Sequence, residues 1–233
     1  MRKLCFAALL LLCANAPALA IEWHALFLAG DDSIENFDNG RRDLSALLDE
    51  IGDIEAIQVT SSRRVARRED IVFADEDGVE QAFGGLQASK GQGCLIHLTS
   101  HGNEDGLYLA HAATLDPDHF ARLVDRACGK YPTVILVSAC YSGVFITDQL
   151  EGPNRIILTA ARDDRPSFGC SSDTRYTYWD ACLLENIEAG ALWRDVYDRV
   201  RSCVRREERE IGADASEPQA FFGAKAGDWA VVF

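Results

Sequence analysis

The fold of this chain is decided by the stretch Thr133-Val134-Ile135-Leu136-Val137-Ser138-Ala139-Cys140-Tyr141-Ser142-Gly143. Its first five residues are apolar or β-branched, and a continuous run of this kind is typical of a parallel strand that is covered on both faces. The run stops at small and polar residues around Cys140. The sequence therefore predicts an α/β fold in which a cysteine follows the end of a central strand.

A second strand of the same kind, Cys94-Leu95-Ile96-His97-Leu98-Thr99, ends at Ser100-His101-Gly102. Sites in open α/β sheets form outside the carboxyl ends of the strands, so we expect His101 and Cys140 to work as a base and a nucleophile. Gly102 lets the backbone bend, and its N–H and that of Cys140 can then form an oxyanion hole. The alternative is that Cys140 is a small buried hydrophobe and His101 a hydrated loop residue.

Outward from these two strands, apolar runs alternate with amphipathic segments, as in a sheet with helices on its faces. Further strands are predicted over 23–29, 54–59 and 155–159. Helices are predicted over 41–51, 79–86, 117–127, 178–188 and 192–206. The apolar tail over 229–233 is interpreted as one more strand.

The first twenty residues have the pattern of an export signal. Arg2 and Lys3 precede the apolar run Leu4 to Leu12, and Ala18-Leu19-Ala20 supplies small residues at a cleavage site. The apolar run is too short to span a bilayer, so we expect no stable membrane span. We predict cleavage after Ala20 and a single exported domain over 21–233, which is periplasmic or secreted.

The charge balance and the cysteines limit the partners of this domain. The chain has 37 acidic and 23 basic residues and a net charge of -14, which has the wrong sign for a nucleic-acid partner. Six cysteines follow the predicted signal, and they are Cys94, Cys128, Cys140, Cys170, Cys182 and Cys203. With one thiol kept for catalysis, at most two disulfides form and one cysteine is spare. A bridge between Cys94 and Cys128 is geometrically conceivable, and the pairing of the others stays open. The sequence has no CxxC pair, so we expect no metal.

The two motifs resemble the legumain family of cysteine peptidases, peptidase family C13. The likeness is carried by Thr99-Ser100-His101-Gly102 and by Ser138 to Gly143, and it extends over roughly Trp23 to Glu188. The segment Phe37 to Asp43 looks like the loop that follows the family's first strand. The resemblance implies a caspase-like, three-layer α/β sandwich with a mostly parallel sheet and helices on both faces.

The resemblance also implies residue roles. Cys140 matches the nucleophile, His101 the general base, Gly102 an oxyanion donor and Asn39 the residue that orients the histidine. Substrate-binding positions are matched by Arg41, Ser100, Ser138, Ser167 and Asp180. Asparagine-specific members have acids at the positions of Ser100 and Ser138, so cleavage after Asn, after Asp or after a broader set stays open.

The expected function is that of a cysteine endopeptidase that acts on peptides or proteins through a thioester and needs no cofactor. The same acyl-enzyme can be captured by an amine, which makes transamidation or ligation an alternative. Two further alternatives are an inactive binding module in the cell envelope and a disulfide scaffold with all six cysteines oxidised. Nothing in the sequence fixes the oligomeric state.

Overall fold

A computed structural model describes residues 21–52 and 54–232 of the protein. The predicted signal peptide over 1–20 lies outside the described residues, as does Phe233. The strands are β1 (Glu22–Ala29), β2 (Glu55–Thr60), β3 (Val72–Phe73), β4 (Gln92–Thr99), β5 (Gly102–Asn103), β6 (Gly106–Tyr108), β7 (Thr114–Leu115), β8 (Thr133–Ser138), β9 (Arg155–Thr159) and β10 (Gln219–Phe222). The α-helices are α1 (Asn36–Ile51), α2 (Arg63–Glu69), α3 (Glu76–Gly85), α4 (Pro117–Ala127), α5 (Tyr178–Asn186) and α6 (Trp193–Glu210). Among these helices, none has the length and apolar character needed to cross a bilayer.

The main sheet has seven strands in the order β10-β9-β8-β4-β1-β2-β3. All neighbouring strands are parallel except β10, which runs antiparallel to β9 at one edge. A small antiparallel sheet, β5-β6-β7, follows the carboxyl end of β4. The predicted mostly parallel sheet is confirmed, with β4 and β8 as neighbours near its centre.

Helices cover both faces of the sheet, and each face has its own core. Side chains of one strand alternate between the two faces. In β4, Ile96 packs with α3 and α4 on one side, whereas Leu95 packs with α1, α5 and α6 on the other. In β8, Val137 and Leu136 divide in the same way. The predicted three layers are therefore present.

The prediction of a strand over 229–233 is wrong for the part of it that the structure describes. β10 takes the edge position beside β9 instead, and Ala230 forms only an isolated bridge with Leu192. Val231 is fully buried in the core beneath α5 and α6. The tail is apolar because it packs on helices, not because it joins the sheet.

The segment Phe37 to Asp43, which the family resemblance predicts to be a loop, is helical. α1 begins at Asn36, five residues before the predicted start, and so includes Asn39 and Gly40. A Cβ at Gly40 would lie 2.5 Å from Asp180 Oδ2, so the absence of a side chain lets α1 approach α5 closely. The short helix α2 and the small sheet were not predicted, because their elements are too brief for a periodic pattern.

Four of the six cysteines of the described chain are paired. Cys94 at the start of β4 bonds Cys128 after α4, and Cys182 in α5 bonds Cys203 in α6. Cys140 and Cys170 are free. The expectation of two disulfides is thus confirmed, and a scaffold with every cysteine oxidised is not what the structure shows.

We predict that Phe120→Ala lowers the free energy of unfolding by about 3–5 kcal/mol, measured by urea denaturation. Phe120 is fully buried, and its ring meets Phe83 and Phe145 edge-on at centroid distances of 6.0 and 5.4 Å. The matched control is Ile211→Ala, since Ile211 is 56% exposed and its removal should cost no more than about 0.5 kcal/mol. Equal losses in the two variants would contradict this account of the core.

Candidate active site

The pairing of β4 with β8 brings the predicted nucleophile and base to one level. Thr99 is the partner of Ser138 in the parallel ladder, and Ser100 N donates to Ser138 O at 3.1 Å. His101 and Cys140 each stand two residues beyond this paired position. The two side chains therefore emerge side by side at the carboxyl edge of the sheet.

The turn after β8 presents the Cys140 thiol. Tyr141 has a φ of 57°, a left-handed conformation that a residue with a side chain adopts only where the surroundings impose it. Tyr141 N donates to Arg165 O at 2.8 Å, and Ser142 Oγ accepts from Ala161 N at 3.1 Å. These bonds tie the turn to the chain that follows β9, which fixes the position of the sulfur.

The surroundings of the Cys140 sulfur favour the thiolate. The strongest influence is the neighbouring thiol of Cys170, which lowers the pKa of Cys140. Burial acts in the opposite direction, but Ser167 N also donates to this sulfur at 3.3 Å, and the charge of His101 adds to the effect. Together they lower the pKa of Cys140 to about 6. These neighbours thus make Cys140 more acidic than an ordinary thiol.

His101 is held beside the cysteine by backbone and aromatic contacts. Its ring packs edge-on against Phe37 at a centroid distance of 4.9 Å, and its carbonyl accepts from Tyr108 N at 2.9 Å. Within the described chain, no hydrogen bond joins the His101 ring to Cys140, so the two interact through charge.

Gly102 lies against the backbone of the nucleophile. A Cβ at this position would be 2.8 Å from Cys140 O and 3.2 Å from the Cβ of Ala139, so only glycine fits. His101 and Tyr108 form a hydrogen-bonded pair, and Gly102 with Leu107 is the next pair along β5 and β6. Hydrogen-bonded and non-bonded pairs alternate in antiparallel ladders, so the Gly102 N–H points away from β6.

Comparison with known proteins places this arrangement in a family. The sequence profile of the Peptidase C13 family matches residues 61–225, which is most of the chain. The chain belongs to the peptidase C13 family. Membership supports cysteine peptidase activity in general. No curated protein matches the sequence.

Solved structures confirm the fold. The crystal structure of caspase-1 from Spodoptera frugiperda is similar to the chain with a TM-score of 0.56 at 14% identity. The match covers 93% of this chain and 94% of the caspase chain. At this identity the likeness is one of fold, and it confirms the caspase-like architecture.

In this C13 family member, Asp180 and Ser138 are internal groups under the active-site edge. Both are fully buried. Asp180 accepts from Thr99 Oγ1 at 2.7 Å and lies 3.0 Å from His97 Nε2, while Ser138 Oγ and Thr177 Oγ1 are 2.9 Å apart. These contacts join α5 to β4 and β8. A substrate-binding role for Asp180 or Ser138 stays a prediction.

Arg41 and Ser100 also have internal partners. The guanidinium of Arg41 is buried and contacts Asp38 at 3.0 Å, Gln58 at 2.6 Å and Glu69 at 3.5 Å, on the β2 side of α1. Ser100 is buried and donates to Tyr108 O at 2.8 Å. Arg41 lies outside the matched range of the family, so its place in a specificity pocket stays a prediction.

The hydrogen bonds of Asn39 do not involve His101. Its amide nitrogen donates to Arg175 O at 3.1 Å, and its oxygen accepts from Arg42 at 2.9 Å. Orientation of the histidine by Asn39 therefore has no support in these contacts. It stays a prediction from the resemblance.

Sequence reasoning missed Asn36, which anchors the loop that contacts the nucleophile. Its buried amide nitrogen lies 2.8 Å from Gly169 O, 3.0 Å from Ser171 O and 2.7 Å from Thr174 Oγ1. These partners are more than 130 residues away along the chain, so no short pattern could reveal them. We call residues 165–171 the cysteine loop, because it carries Ser167 and Cys170.

The described residues also show which groups could hold a metal ion. Over 21–52 and 54–232, no cluster of three or more His, Cys, Asp or Glu side chains is arranged to bind one. The titratable neighbours of Cys140, which are Cys170 and His101, instead influence the Cys140 thiol.

We predict that Asn36→Ala raises the pH at which Cys140 becomes reactive. Without the anchor, the cysteine loop moves and weakens the hydrogen bonds that stabilise the thiolate. The midpoint of iodoacetamide alkylation against pH should be near 6 in the wild type and about one pH unit higher in the variant. The matched control is Asn154→Ala, because Asn154 bonds Lys130 O at an exposed position elsewhere. An unchanged midpoint in Asn36→Ala would show that the anchor is not needed.

Proposed function

We propose that the protein is a cysteine endopeptidase in which Cys140 is the nucleophile and His101 the general acid and base. The observation that carries this proposal is that the pairing of β4 with β8 brings a free, half-buried Cys140 to the same level as His101, and the lowered pKa of Cys140 agrees with it. A structural cysteine in apolar surroundings has a raised pKa and is inert. Cys140 has the opposite character.

The reaction proceeds through a thioester. The Cys140 thiolate attacks the scissile carbonyl carbon, and the N–H groups of Gly102 and Cys140 receive the negative charge that develops on the oxygen. His101 delivers its proton to the leaving amine as the C–N bond breaks. Water, deprotonated by His101, then releases the peptide acid and the free thiolate.

Ser167 is the proposed polar contact for the substrate side chain before the scissile bond. Its backbone N–H donates to Cys140 Sγ, and its buried Oγ has no partner apart from the Cys140 sulfur, whose pKa it helps to lower. A buried hydroxyl beside Cys140 with spare hydrogen-bonding capacity favours substrates that carry a polar group. Asn and Asp are therefore the first residues to test. The ion pairs of Arg41 with Asp38 and Glu69 offset its charge, which weakens its preference for an acid.

We further propose that the protein works in the periplasm or outside the cell. The two disulfides support this location, since such bonds persist in oxidising compartments. The export signal predicted over 1–20 points the same way.

We predict that the purified protein cleaves a fluorogenic peptide library varied at the residue before the scissile bond. Cys140→Ala should abolish cleavage, and His101→Ala should lower kcat/KM by about 10²- to 10⁴-fold. The matched control is His119→Ala. His119 of α4 is paired with Glu80 of α3, so this substitution should leave the rate unchanged.

Three results would contradict or redirect the proposal. Cleavage that survives in Cys140→Ala would exclude the assigned nucleophile. Products that carry an added amine would identify a transamidase at the same site. Cys140 alkylation that follows an ordinary thiol pKa of about 8.5, together with no cleavage, would favour the inactive binding module.

We predict that Ser167→Ala lowers kcat/KM for Asn or Asp peptides by about tenfold, the effect of one lost hydrogen bond. The backbone N–H of residue 167 is kept but the hydroxyl, which also lowers the pKa of Cys140, is lost, so the alkylation midpoint should rise only slightly above 6. Peptides with Ala before the scissile bond are the matched substrate control. An equal loss on all peptides would show that the hydroxyl does not select the substrate.

A further inference from the structure

Two thiols are left free next to each other in a protein that pairs its other described cysteines. Cys140 and Cys170 are both half-buried, whereas each member of the two disulfides is buried. Cys170 lies in the loop whose Ser167 backbone touches Cys140 Sγ, and the two thiols are neighbours that shift each other's pKa. In the mechanism proposed above, Cys170 affects the pKa of Cys140 but takes no part in making or breaking bonds.

The chain on both sides of this contact is fixed. Ser167 N and O each contact Cys140 Sγ, at 3.3 and 3.5 Å, and Asn36 holds the carbonyls of Gly169 and Ser171 on either side of Cys170. Gly169 adopts a φ of 86°, a left-handed conformation that favours glycine, in the turn just before Cys170. The loop that carries Cys170 is therefore held in place beside the Cys140 sulfur.

We propose that Cys170 is a resolving cysteine, which forms a reversible disulfide with Cys140 when a peroxide oxidises the nucleophile. The ligand class is a small hydroperoxide such as hydrogen peroxide, and the half-buried sulfur of Cys140 is where it reacts. The consequence for peptidase activity rests on the function proposed above. The formation of the Cys140–Cys170 disulfide does not depend on that function.

The chemistry balances in two steps. The Cys140 thiolate attacks one oxygen of hydrogen peroxide, the O–O bond breaks, and Cys140 sulfenic acid and hydroxide result. Sulfur gives two electrons to the peroxide. The Cys170 thiol then attacks the sulfenic sulfur, the S–S bond forms, and water leaves with the Cys170 proton. A dithiol reductant returns both residues to thiols.

The charge on Cys140 determines the order of these two steps. While Cys140 is a thiolate, the hydrogen bond to it, burial and its negative charge all raise the pKa of Cys170, so Cys170 is a protonated donor and is not itself oxidised. Oxidation to sulfenic acid removes the Cys140 charge. Cys170 then loses its proton more readily and can attack. The same contact protects the reduced site and prepares the cross-link.

The test compares wild-type protein with Cys170→Ser after treatment with hydrogen peroxide. Serine can donate the hydrogen bond to Cys140 but cannot form a disulfide. Peptide mapping by mass spectrometry should find the Cys140 and Cys170 peptides linked in the wild type and separated again by dithiothreitol. In Cys170→Ser, Cys140 should carry two added oxygens as the irreversible sulfinic acid.

Activity provides a second measurement. Activity is expressed as a fraction of each protein's own activity before treatment. After peroxide and then dithiothreitol, this fraction should be about tenfold larger for the wild type than for Cys170→Ser. Sulfinic acid at Cys140 of the wild type without a linked peptide would overturn the proposal, even if the protein is an active peptidase. A linked peptide in a protein that cleaves no substrate would support the cross-link and count against the peptidase alone.

Discussion

Parallel pairing of β4 with β8 holds His101 and Cys140 at one level, and the rest of the active site is placed from that level. A shift of the register by one residue would turn every side chain of a strand to the opposite face. Both faces of β4 and β8 are buried against helices, so such a shift would exchange the side chains that pack in the two cores. The packing of the two cores therefore fixes where His101 and Cys140, the proposed catalytic pair, stand relative to each other.

The thiolate depends on the cysteine loop more than on the histidine. The Ser167 N–H donates to the sulfur directly and Cys170 has the largest influence on its pKa, whereas His101 acts through its charge. A thiolate that is stabilised by neutral neighbours does not need a hydrogen bond from the imidazole. In the proposed reaction, the proton of His101 is then available for the leaving amine.

The sequence predicted the central parts of the fold and failed where contacts are distant. The strands that carry His101 and Cys140 have long apolar runs, and the structure places both at the ends of paired strands as expected. The role of Asn36 depends on partners across the molecule, and no local pattern marks it. The predicted strand at the tail is wrong for a related reason. Val231 is apolar because it packs against helices, and not because it pairs with a strand.

Burial of Asp180 shows how the helical layer is coupled to the active-site edge. A buried carboxylate is costly unless hydrogen bonds replace its hydration. Thr99 and His97 supply them from β4, and the first turn of α5, where Asp180 lies, favours negative charge. Gly40 of α1 packs on the same carboxylate. Since Thr99 stands two residues before His101, the two helices and the strand share one buried group directly below the base, and displacement of either helix would be transmitted to the position of His101.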